Sequence, residues 1–465
     1  MRRFSLLVVI LGACSGRKHA FTDGGADAPR TVDASTIVPK VVIKDIPLVA
    51  NRALDLLFVV DDSGSMAAHQ NNLVANVPRM IDALTRFEGG LPDLHVGVVS
   101  SDMGAGLNNL AQCTPTGDAG HLLQGKPGTT CAGLDAGARF IDDVRNADGT
   151  RTRNYTGELA PLFACMAAVG TTGCGLESHL ESMRAALDPA TAFNAGFLRA
   201  DAALGIVILG DEDDCSAGDP TVFDPTDSAK GPINLRCTTY GIVCDGDDDP
   251  AHLLQPGVRT NCRPREDSAY LYPVARYVDF VRGLKADPRA IVVGDIGGPP
   301  TPVEIGPDPL MPTDQALLAS CASVDGTAKP DVRRGAFASA FGARGVAQSI
   351  CTSDLSDPVV AIAEQLKEAL GDPCLGAAFA LADRDPATAG VQPDCAVTLI
   401  SGTLETGLPA CAPDGPGDHT NTPCWYLVED AATCSASASH LRLRLDFGGA
   451  APAAGARVTM ACALE

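Results

Sequence analysis

The sequence is poor in aromatic side chains and in positive charge. Phe, Trp and Tyr make up 5% of its 465 residues, and 35 Lys and Arg stand against 57 Asp and Glu. Binding to a nucleic-acid backbone depends mostly on Lys and Arg, which neutralise phosphates. A formal net charge of −22 therefore argues against a nucleic-acid partner. It suits a body that is soluble in water, with acidic loops that could hold hard cations.

Long apolar runs are also missing. No stretch after residue 14 reaches the roughly 18 apolar residues that a membrane span needs, which excludes a multispan membrane protein. Apolar residues still make up 45% of the chain, enough for a full core, so disorder throughout is excluded. At about 100–200 residues per domain, the length allows two to four domains.

Familiar catalytic and zinc-binding motifs are absent. The chain has no Gly-x4-Gly-Lys-Ser/Thr phosphate loop and no Gly-x-Ser-x-Gly nucleophile elbow. None of the eight histidines has a recognisable partner, so each is expected to be an ordinary surface or core residue. Neither Cys-x-x-Cys nor His-x3–5-His occurs, which argues against zinc. We therefore do not expect an enzyme.

The first residues predict export. Residues 1–3 are Met-Arg-Arg, residues 4–11 form a short apolar run, and Gly12-Ala13-Cys14 follows, which is the pattern of a secretory signal. Residues 11–14 resemble a bacterial lipobox, which implies that Cys14 carries a lipid; the alternative is an ordinary signal peptide with a coincidental cysteine. By the rule known for enteric bacteria, Ser15 after it implies the outer membrane. We expect an exported, lipid-anchored cell-envelope protein with a periplasmic or surface face.

The cysteines favour a disulfide framework. There are 17, and setting Cys14 aside leaves 16, an even number that in an exported protein indicates disulfide bonds. They are Cys113, Cys131, Cys165, Cys174, Cys215, Cys237, Cys244, Cys262, Cys321, Cys351, Cys374, Cys395, Cys411, Cys424, Cys434 and Cys462. Neighbours in sequence are the default pairing, and the last six are expected to pair among themselves.

Apolar patterns alternate between two periods. Continuous apolar runs at 54–60, 94–100, 204–209 and 290–293 predict strands buried on both faces of a parallel sheet. Helical spacing predicts helices over 73–87, 270–284 and 357–370. Pro78 predicts a kink or a late start in the first, and Asp357 and Gly371 are the predicted caps of the third. This alternation predicts an α/β fold with a doubly wound, mostly parallel sheet.

The predicted organisation has four parts. They are a lipoprotein signal peptide over 1–13, a lipid anchor and flexible tether over 14–49 with an edge strand near 41–43, an α/β domain over 50–372, and a small Cys-rich all-β module over 373–465. Stretches at about 103–153 and 212–266 are rich in Gly, Asp, Pro and Cys, and we read them as disulfide-stapled insertions. In the last part, alternating apolar residues over 441–447 predict a half-buried strand.

The most informative motif directly follows the strand at 54–60. Residues 61–66 read Asp-Asp-Ser-Gly-Ser-Met. Asp-x-Ser-x-Ser in this place resembles the metal-ion-dependent adhesion site of von Willebrand factor A domains. That family adds a threonine from a second loop, which implies Thr171, with Thr172 as the alternative. It also adds an aspartate after a later buried strand, which implies Asp211. The resemblance covers roughly residues 50–372, loosely because of the insertions.

The resemblance implies a Mg²⁺ site, or one for Mn²⁺ or Ca²⁺, made by Asp61, Ser63, Ser65, Thr171 and Asp211. Mg²⁺ takes six oxygens and keeps waters readily. Asp61 and Asp211 would act directly or through waters. Because few anionic ligands would touch the ion directly, it would stay electrophilic, and a carboxylate of a protein partner would complete its shell. The function implied is binding or adhesion at the cell envelope.

One departure from the family leaves alternatives open. Where the family usually has Thr-Asp-Gly, residues 210–214 read Gly-Asp-Glu-Asp-Asp. The extra charge of Glu212, Asp213 and Asp214 could hold a second cation, favour Ca²⁺ or Mn²⁺, or repel an acidic ligand. The alternatives are a structural envelope protein with a vestigial site, and a metal-dependent hydrolase that takes its general base from these three.

A second acidic run, 245–249, lacks the pattern of a calcium loop and is expected to be solvated.

Overall fold

The computed structural model describes residues 41–465 except 310, 376–380, 383, 385–386, 388–392, 413–418, 433, 435–438, 454 and 465. The predicted signal peptide, Cys14 and the tether up to residue 40 lie outside the described residues. The described part belongs to one compact unit. None of its helices combines the length and the apolar character needed to cross a membrane.

The described residues form twenty strands and seven α-helices. The strands are β1 (Val41–Pro47), β2 (Ala53–Val60), β3 (Asp93–Ser100), β4 (Ile141–Arg145), β5 (Arg151–Arg153), β6 (Ala203–Leu209), β7 (Ile242–Val243), β8 (Gly257–Arg259), β9 (Arg263–Pro264), β10 (Ile291–Gly297), β11 (Val303–Pro307), β12 (Gln315–Leu317), β13 (Cys321–Ser323), β14 (Gly326–Ala328), β15 (Gly345–Ser349), β16 (Cys395–Ser401), β17 (Leu404–Leu408), β18 (Cys424–Glu429), β19 (Leu441–Asp446) and β20 (Arg457–Ala463). The helices are α1 (Ala67–Thr85), α2 (Leu159–Ala167), α3 (His179–Leu187), α4 (Arg236–Gly241), α5 (Val274–Arg282), α6 (Arg333–Ser339) and α7 (Ser356–Leu370).

A seven-stranded sheet is the centre of the molecule. Its strand order is β15-β10-β6-β2-β3-β4-β5. The strands from β15 to β3 run parallel, and β4 and β5 are antiparallel to their neighbours. The four apolar runs of the sequence correspond to β2, β3, β6 and β10, so these predictions are confirmed. The last strand is longer than predicted and ends at Gly297.

Helices cover both faces of this sheet. On β2, Leu54, Leu56 and Phe58 pack in the cluster that contains α1, α2 and α7. Leu57 and Val59 point the other way, toward α3, α5 and α6. Successive side chains of a strand alternate between faces, so a strand that is covered on both sides is mostly apolar. The exception on β2 is the buried Asp55, which forms an ion pair with Arg199. The chain is therefore a mixed α/β protein with a large, mostly parallel sheet, as predicted.

The helix boundaries differ in detail from the predicted ones. α1 begins at Ala67 and runs through Pro78, so the predicted late start is wrong. α5 begins only at Val274, because Pro273 is in extended conformation at its N-cap. α7 begins at Ser356, which places Asp357 within the first turn and not at the cap.

The two predicted insertions differ from each other. The first is not a loop throughout, because its second half forms β4 and β5 and extends the central sheet. Its cysteines bond to residues beyond it, in the pairs Cys113–Cys174 and Cys131–Cys165. The second insertion is stapled within itself, as predicted, by the pairs Cys215–Cys237 and Cys244–Cys262.

The C-terminal part is built on a small antiparallel sheet. Its order is β1-β20-β16-β17, and β18 pairs with β19. The expected edge strand near 41–43 is confirmed as β1, and it pairs with β20 from the other end of the chain. The predicted tether over 14–49 thus includes a strand of this sheet. The described residues after 373 contain strands and no helix.

All sixteen cysteines of the described residues form disulfide bonds. The C-terminal six pair among themselves, as predicted, in Cys374–Cys434, Cys395–Cys462 and Cys411–Cys424. The eighth bond is Cys321–Cys351. Pairing of sequence neighbours is wrong for several bonds, because Cys131–Cys165 is nested inside Cys113–Cys174 and Cys411–Cys424 inside Cys374–Cys434.

Candidate metal site

The loop after β2 leads from the interior to the surface. Asp61 is 0% exposed, whereas Gly64 and Ser65 are exposed. The carboxylate Oδ1 of Asp61 accepts a hydrogen bond from the backbone N–H of Ser63 at 2.8 Å. An aspartate that bonds to the backbone two residues later fixes a turn. Ser63 is still buried within this turn, and Ser65 is exposed.

Three side-chain oxygens from two loops lie in a row. The Oγ atoms of Ser63 and Ser65 are 3.2 Å apart, and Ser65 Oγ donates to Asp211 Oδ1 at 3.1 Å. Asp211 follows β6, which pairs in parallel with β2, so the ends of both strands reach the same edge of the sheet. Oxygens at about 2.0–2.1 Å from an octahedral Mg²⁺ lie about 3 Å from their neighbours. The observed separations fit that spacing.

The second loop lies against the first. The amide Nε2 of Gln70, on α1, donates to the carbonyl oxygens of Asp61 at 2.7 Å and Gly170 at 2.6 Å. The N–H of Gly173 donates to the carbonyl oxygen of Asp62 at 2.9 Å. Thr171 is thus one residue from an anchored position and is partly exposed. The structure therefore brings four predicted ligands together and places Thr171 in the adjacent loop.

Two glycines are needed for this close packing. A Cβ on Gly173 would lie 2.2 Å from Cγ of Asp62. A Cβ on Gly210 would lie 2.5 Å from both Arg334 Nη1 and His179 Nε2. Such distances are far below van der Waals contact, so a side chain would displace one loop or the other. The buried arginine and histidine thus account for glycine at 210, where the resembling family has threonine.

The carboxylates of the site are buried close to one another. Burial raises the pKa of Asp61 well above its usual range, repulsion by Asp211 raises it further, and the hydrogen bond from Ser63 opposes both. Burial also raises the pKa of Asp211 and of the adjacent Glu212. Oδ2 of Asp61 is buried without a hydrogen-bond partner. Buried charges need pairing or coordination, so a cation would stabilise this group.

Two of the three extra acidic residues have other contacts. Both carboxylate oxygens of Asp213 accept hydrogen bonds from backbone N–H groups of residues 332–334, at the start of α6. Oδ2 of Asp214 forms a buried ion pair with Arg333 at 3.0 Å. Within the described residues, no three His, Cys, Asp or Glu side chains are arranged to hold a metal. A second cation at Glu212, Asp213 and Asp214 stays a prediction, and the predicted main site includes serine hydroxyls besides its two carboxylates.

Several buried polar residues were missed by the sequence reasoning. His69 and His179 are both 0% exposed; the histidines were expected to be ordinary surface or core residues, with no role at the site. Nε2 of His179 is 3.8 Å from Asp61 Oδ2, and Arg334 Nη1 is 3.3 Å from the same histidine nitrogen. Glu177 is buried, and burial together with repulsion by Glu212 raises its pKa well above the usual range. The position of Glu177 just before α3 is the one sequence feature that could have indicated its place at the site.

The acidic run 245–249 is a hydrogen-bonded loop. Oδ1 of Asp245 accepts the N–H of Thr260 at 2.8 Å, and Oδ2 lies 3.2 Å from Nε2 of His252. Residues 246–249 are exposed. This agrees with the expected solvated loop.

Comparisons with known proteins give little further information. No protein-family model and no curated protein matches the chain. Among solved structures, the pilus adhesin SpaC from Lactobacillus rhamnosus GG, in its open conformation, is similar with a TM-score of 0.30 and 10% identity, over 91% of this chain and 43% of SpaC. The pilus adhesin RrgA from Streptococcus pneumoniae is similar with a TM-score of 0.27 and 12% identity, over 92% of this chain and 58% of RrgA. The chain thus spans about half the length of these adhesins, and TM-scores this low do not establish a shared fold.

Proposed function

We propose that this chain is a von Willebrand factor A-type binding protein that uses a divalent cation to hold a carboxylate of a protein partner. The cation would be Mg²⁺, or Mn²⁺ or Ca²⁺, held by Asp61, Ser63, Ser65, Thr171 and Asp211. The observation that carries the proposal is the row of oxygens from Ser63 through Ser65 to Asp211. Hard cations prefer such all-oxygen sites.

The exposure of the site favours binding of a macromolecule. Ser65 is exposed while Asp61 is fully buried. An ion here would be held by the protein on its buried side and accessible to a partner on its exposed side. The three hydroxyls are neutral, and Asp61 and Asp211 acting through waters would leave the ion electrophilic, which attracts an external carboxylate. A hydrolase would need a general base. Of the three candidates, Asp213 and Asp214 are engaged with α6, which leaves only Glu212. Binding is therefore better supported than hydrolysis.

The disulfides support the proposed location. Eight disulfide bonds join all sixteen cysteines beyond Cys14. Such bonds persist in oxidising, extracytoplasmic compartments. We propose an exported protein, anchored in the cell envelope through a lipid on Cys14, at the outer membrane with a periplasmic or surface face. Cys14→Ser should then release it from membranes, and equal retention of the variant would contradict the anchor.

Calorimetric titration with Mg²⁺ and Mn²⁺ tests the metal site. The wild type should bind weakly to moderately, because hydroxyls and waters dominate the shell, and Asp61→Ala should abolish binding. Asp279→Ala, an exposed carboxylate on α5, is the matched control and should bind as the wild type does. Circular dichroism should be unchanged in all three. Equal heats from wild type and Asp61→Ala would contradict the metal site and favour the alternative of a structural envelope protein.

A second experiment identifies the partner. A pull-down from envelope extract should retain a partner with Mg²⁺ present and lose it with a chelator. The Asp61→Ala protein should retain none under either condition. If the partner is retained equally with and without the chelator, and equally by wild type and Asp61→Ala, the mechanism is not metal-mediated.

A further inference from the structure

An open cavity lies beside the loop that carries Thr171. It has a volume of about 330 Å³ and is lined by a loop within residues 116–129 and by Arg139. Cγ of Lys126 lies 3.6 Å from the position that a Cβ would take on Gly170. Lys126 also lines the cavity, so the cavity borders the loop of the predicted metal site. None of the predicted metal ligands lines it.

Two positively charged side chains of this cavity have no acceptor. Lys126 and Arg139 are exposed, and neither forms an ion pair or a side-chain hydrogen bond with the described residues. The other five lysines in the described part of the chain each donate to a carbonyl or pair with a carboxylate. Asp118 is the one carboxylate among the described lining residues, and its Oδ2 accepts a hydrogen bond from Ser100 Oγ at 2.7 Å. The lining is therefore net positive, in a chain whose formal net charge is −22.

Arg139 is held in place by an aromatic ring. Its Cζ lies 3.5 Å from the ring centroid of Phe193, and the imidazole of His121 stacks on the same ring at 3.7 Å. Two groups this close to one centroid must lie on opposite faces, so Phe193 is packed between them. A guanidinium stacked on a ring keeps its N–H groups, which point outward in its own plane, for other acceptors. Its fork of donors matches the two oxygens of a carboxylate.

We propose that this cavity binds a carboxylate side chain of the protein partner, as a second contact beside the carboxylate on the cation. The guanidinium of Arg139 would donate to both oxygens, and Lys126 would supply a second positive charge. A strongly negative protein repels an acidic partner, so a cationic pair next to the metal site supplies the complementary charge that such a partner needs. The identity of the partner rests on the proposed function, but the cavity itself can be tested without metal.

A short acidic peptide tests the cavity directly. Calorimetry with acetyl-tetraglutamate amide and metal-free protein, in a buffer without chelator, should show saturable binding. The affinity should fall as NaCl is added, because salt screens exposed charges. The tetraglutamine peptide has nearly the same shape without the charge and should bind at least tenfold more weakly, and inorganic phosphate should also bind more weakly. Equal affinity for the two peptides, tighter binding of phosphate, or no binding of the acidic peptide would overturn the proposal.

Removal of one charge tests the role of Arg139. Arg139→Gln loses both the charge and the fork of donors, so its affinity for the acidic peptide should fall at least tenfold. Because Arg139 is exposed, the melting temperature should hardly change. Arg79→Gln, at an exposed arginine of α1 that does not line the cavity, is the matched control and should bind as wild type does. Equal affinity in the two variants would refute the assignment.

A second variant tests the ring under Arg139. Phe193→Leu keeps an apolar side chain and every charge of the cavity, but it removes the surface on which Arg139 and His121 stack. The affinity for the acidic peptide should fall at least threefold, because the guanidinium must then be ordered on binding. The dependence of affinity on NaCl should stay that of wild type, since no charge has changed. Unchanged affinity would show that the stacked arrangement does not prepare Arg139 for a carboxylate.

The pull-down from envelope extract tests whether both sites contact one partner. With Mg²⁺ present, Arg139→Gln should retain at most half as much partner as Arg79→Gln, although both should bind Mg²⁺ as wild type does. Equal retention by the two variants would show that the cavity does not contact the partner. Failure of the wild type to bind Mg²⁺, with binding of the acidic peptide intact, would refute the metal site and leave the cavity as a separate carboxylate site.

Discussion

Ser65 Oγ donates a hydrogen bond of 3.1 Å to Asp211 Oδ1, across 146 positions of the chain. The contact exists because β2 and β6 are parallel neighbours, with Val60 paired to Leu209, so that both loops leave the same edge of the sheet. The Ser65 hydroxyl thus bonds to a carboxylate from a distant loop. With an ion bound, the same two oxygens would be adjacent ligands, so the loops are already close to the arrangement that coordination needs.

Ser65→Ala should weaken Mg²⁺ binding by about tenfold, which corresponds to about 1.4 kcal/mol. The variant removes one neutral oxygen ligand and the hydrogen bond to Asp211 without changing the charge of the site. Because Ser65 is exposed, the melting temperature should hardly change. Ser228→Ala, another exposed serine, is the control for titration calorimetry. Wild-type affinity in Ser65→Ala would show that this hydroxyl is not a ligand.

Gly173→Ala should displace the loop that carries Thr171. The added methyl group would lie 2.2 Å from Cγ of Asp62, so either this carboxyl or the loop must move. Overpacking of this kind destabilises proteins by about 1–3 kcal/mol. At Gly175, a Cβ would meet only Glu177 Oε1 at 3.8 Å, so Gly175→Ala is a matched control two residues away.

Thermal unfolding and Mg²⁺ titration of both glycine variants measure this effect. Gly173→Ala should lose stability and metal affinity together, while Gly175→Ala should keep both. Parallel behaviour of the two variants would mean that the contact with Asp62 does not position the loop.

Asp331 should make the protein less stable as the pH rises. Burial raises the pKa of Asp331 to about 8, from a usual value of 3.8. The folded state therefore binds this proton more tightly than the unfolded state, so this group's contribution to the free energy of unfolding falls from about pH 4 to pH 8 and is level above that. Urea unfolding at pH 5, 6, 7 and 8 measures the slope.

Asp331→Asn removes this group's titration. Asparagine has nearly the shape of the protonated carboxyl group and can still accept the hydrogen bond from Arg334 Nη2, so the variant should be close to wild type in stability at pH 5. Its stability should then fall less steeply than that of wild type between pH 5 and pH 8. Asp279→Asn, an exposed carboxylate, should keep the wild-type slope. The same slope in Asp331→Asn and wild type would refute the raised pKa.

The sequence predicted the features that depend on local pattern. The apolar runs identified β2 and β6 because a strand covered on both faces is mostly apolar, and the motif after β2 located Asp61. Long-range packing could not be predicted from the sequence. Arg334 and His179 meet below the site although they are 155 positions apart, and neither has a local signal.

The amino-acid composition also gave a wrong prediction for the first insertion. Its Gly- and Asp-rich sequence suggested loops, yet β4 and β5 pair there with the edge of a sheet already formed by β3. The half-buried Arg151 donates to the carbonyl oxygens of Leu91 and Pro92, at 3.0 and 2.7 Å. A charged residue of this kind looks like a surface position in the sequence. The pairing that holds it comes from residues about 60 positions earlier.

The disulfide Cys113–Cys174 should support metal binding as well as stability. Cys174 is fully buried and lies three residues after Thr171, and the bond joins it to the first insertion, 61 positions earlier. Replacing both cysteines by alanine frees the end of the Thr171 loop. Loss of a native disulfide typically destabilises a protein by about 2–5 kcal/mol. Since the loop must then be ordered on binding, Mg²⁺ affinity should fall as well.

The matched control removes the bond Cys411–Cys424, which lies in the C-terminal part and closes a loop of 13 positions. Both double variants should unfold at lower temperature than wild type, because each loses one covalent constraint on the unfolded chain. Only the Cys113→Ala/Cys174→Ala protein should lose Mg²⁺ affinity in calorimetry at a temperature where both variants are folded. If both kept wild-type affinity, the Thr171 loop would be positioned without its disulfide, by Gln70 and the Gly173–Asp62 contact alone.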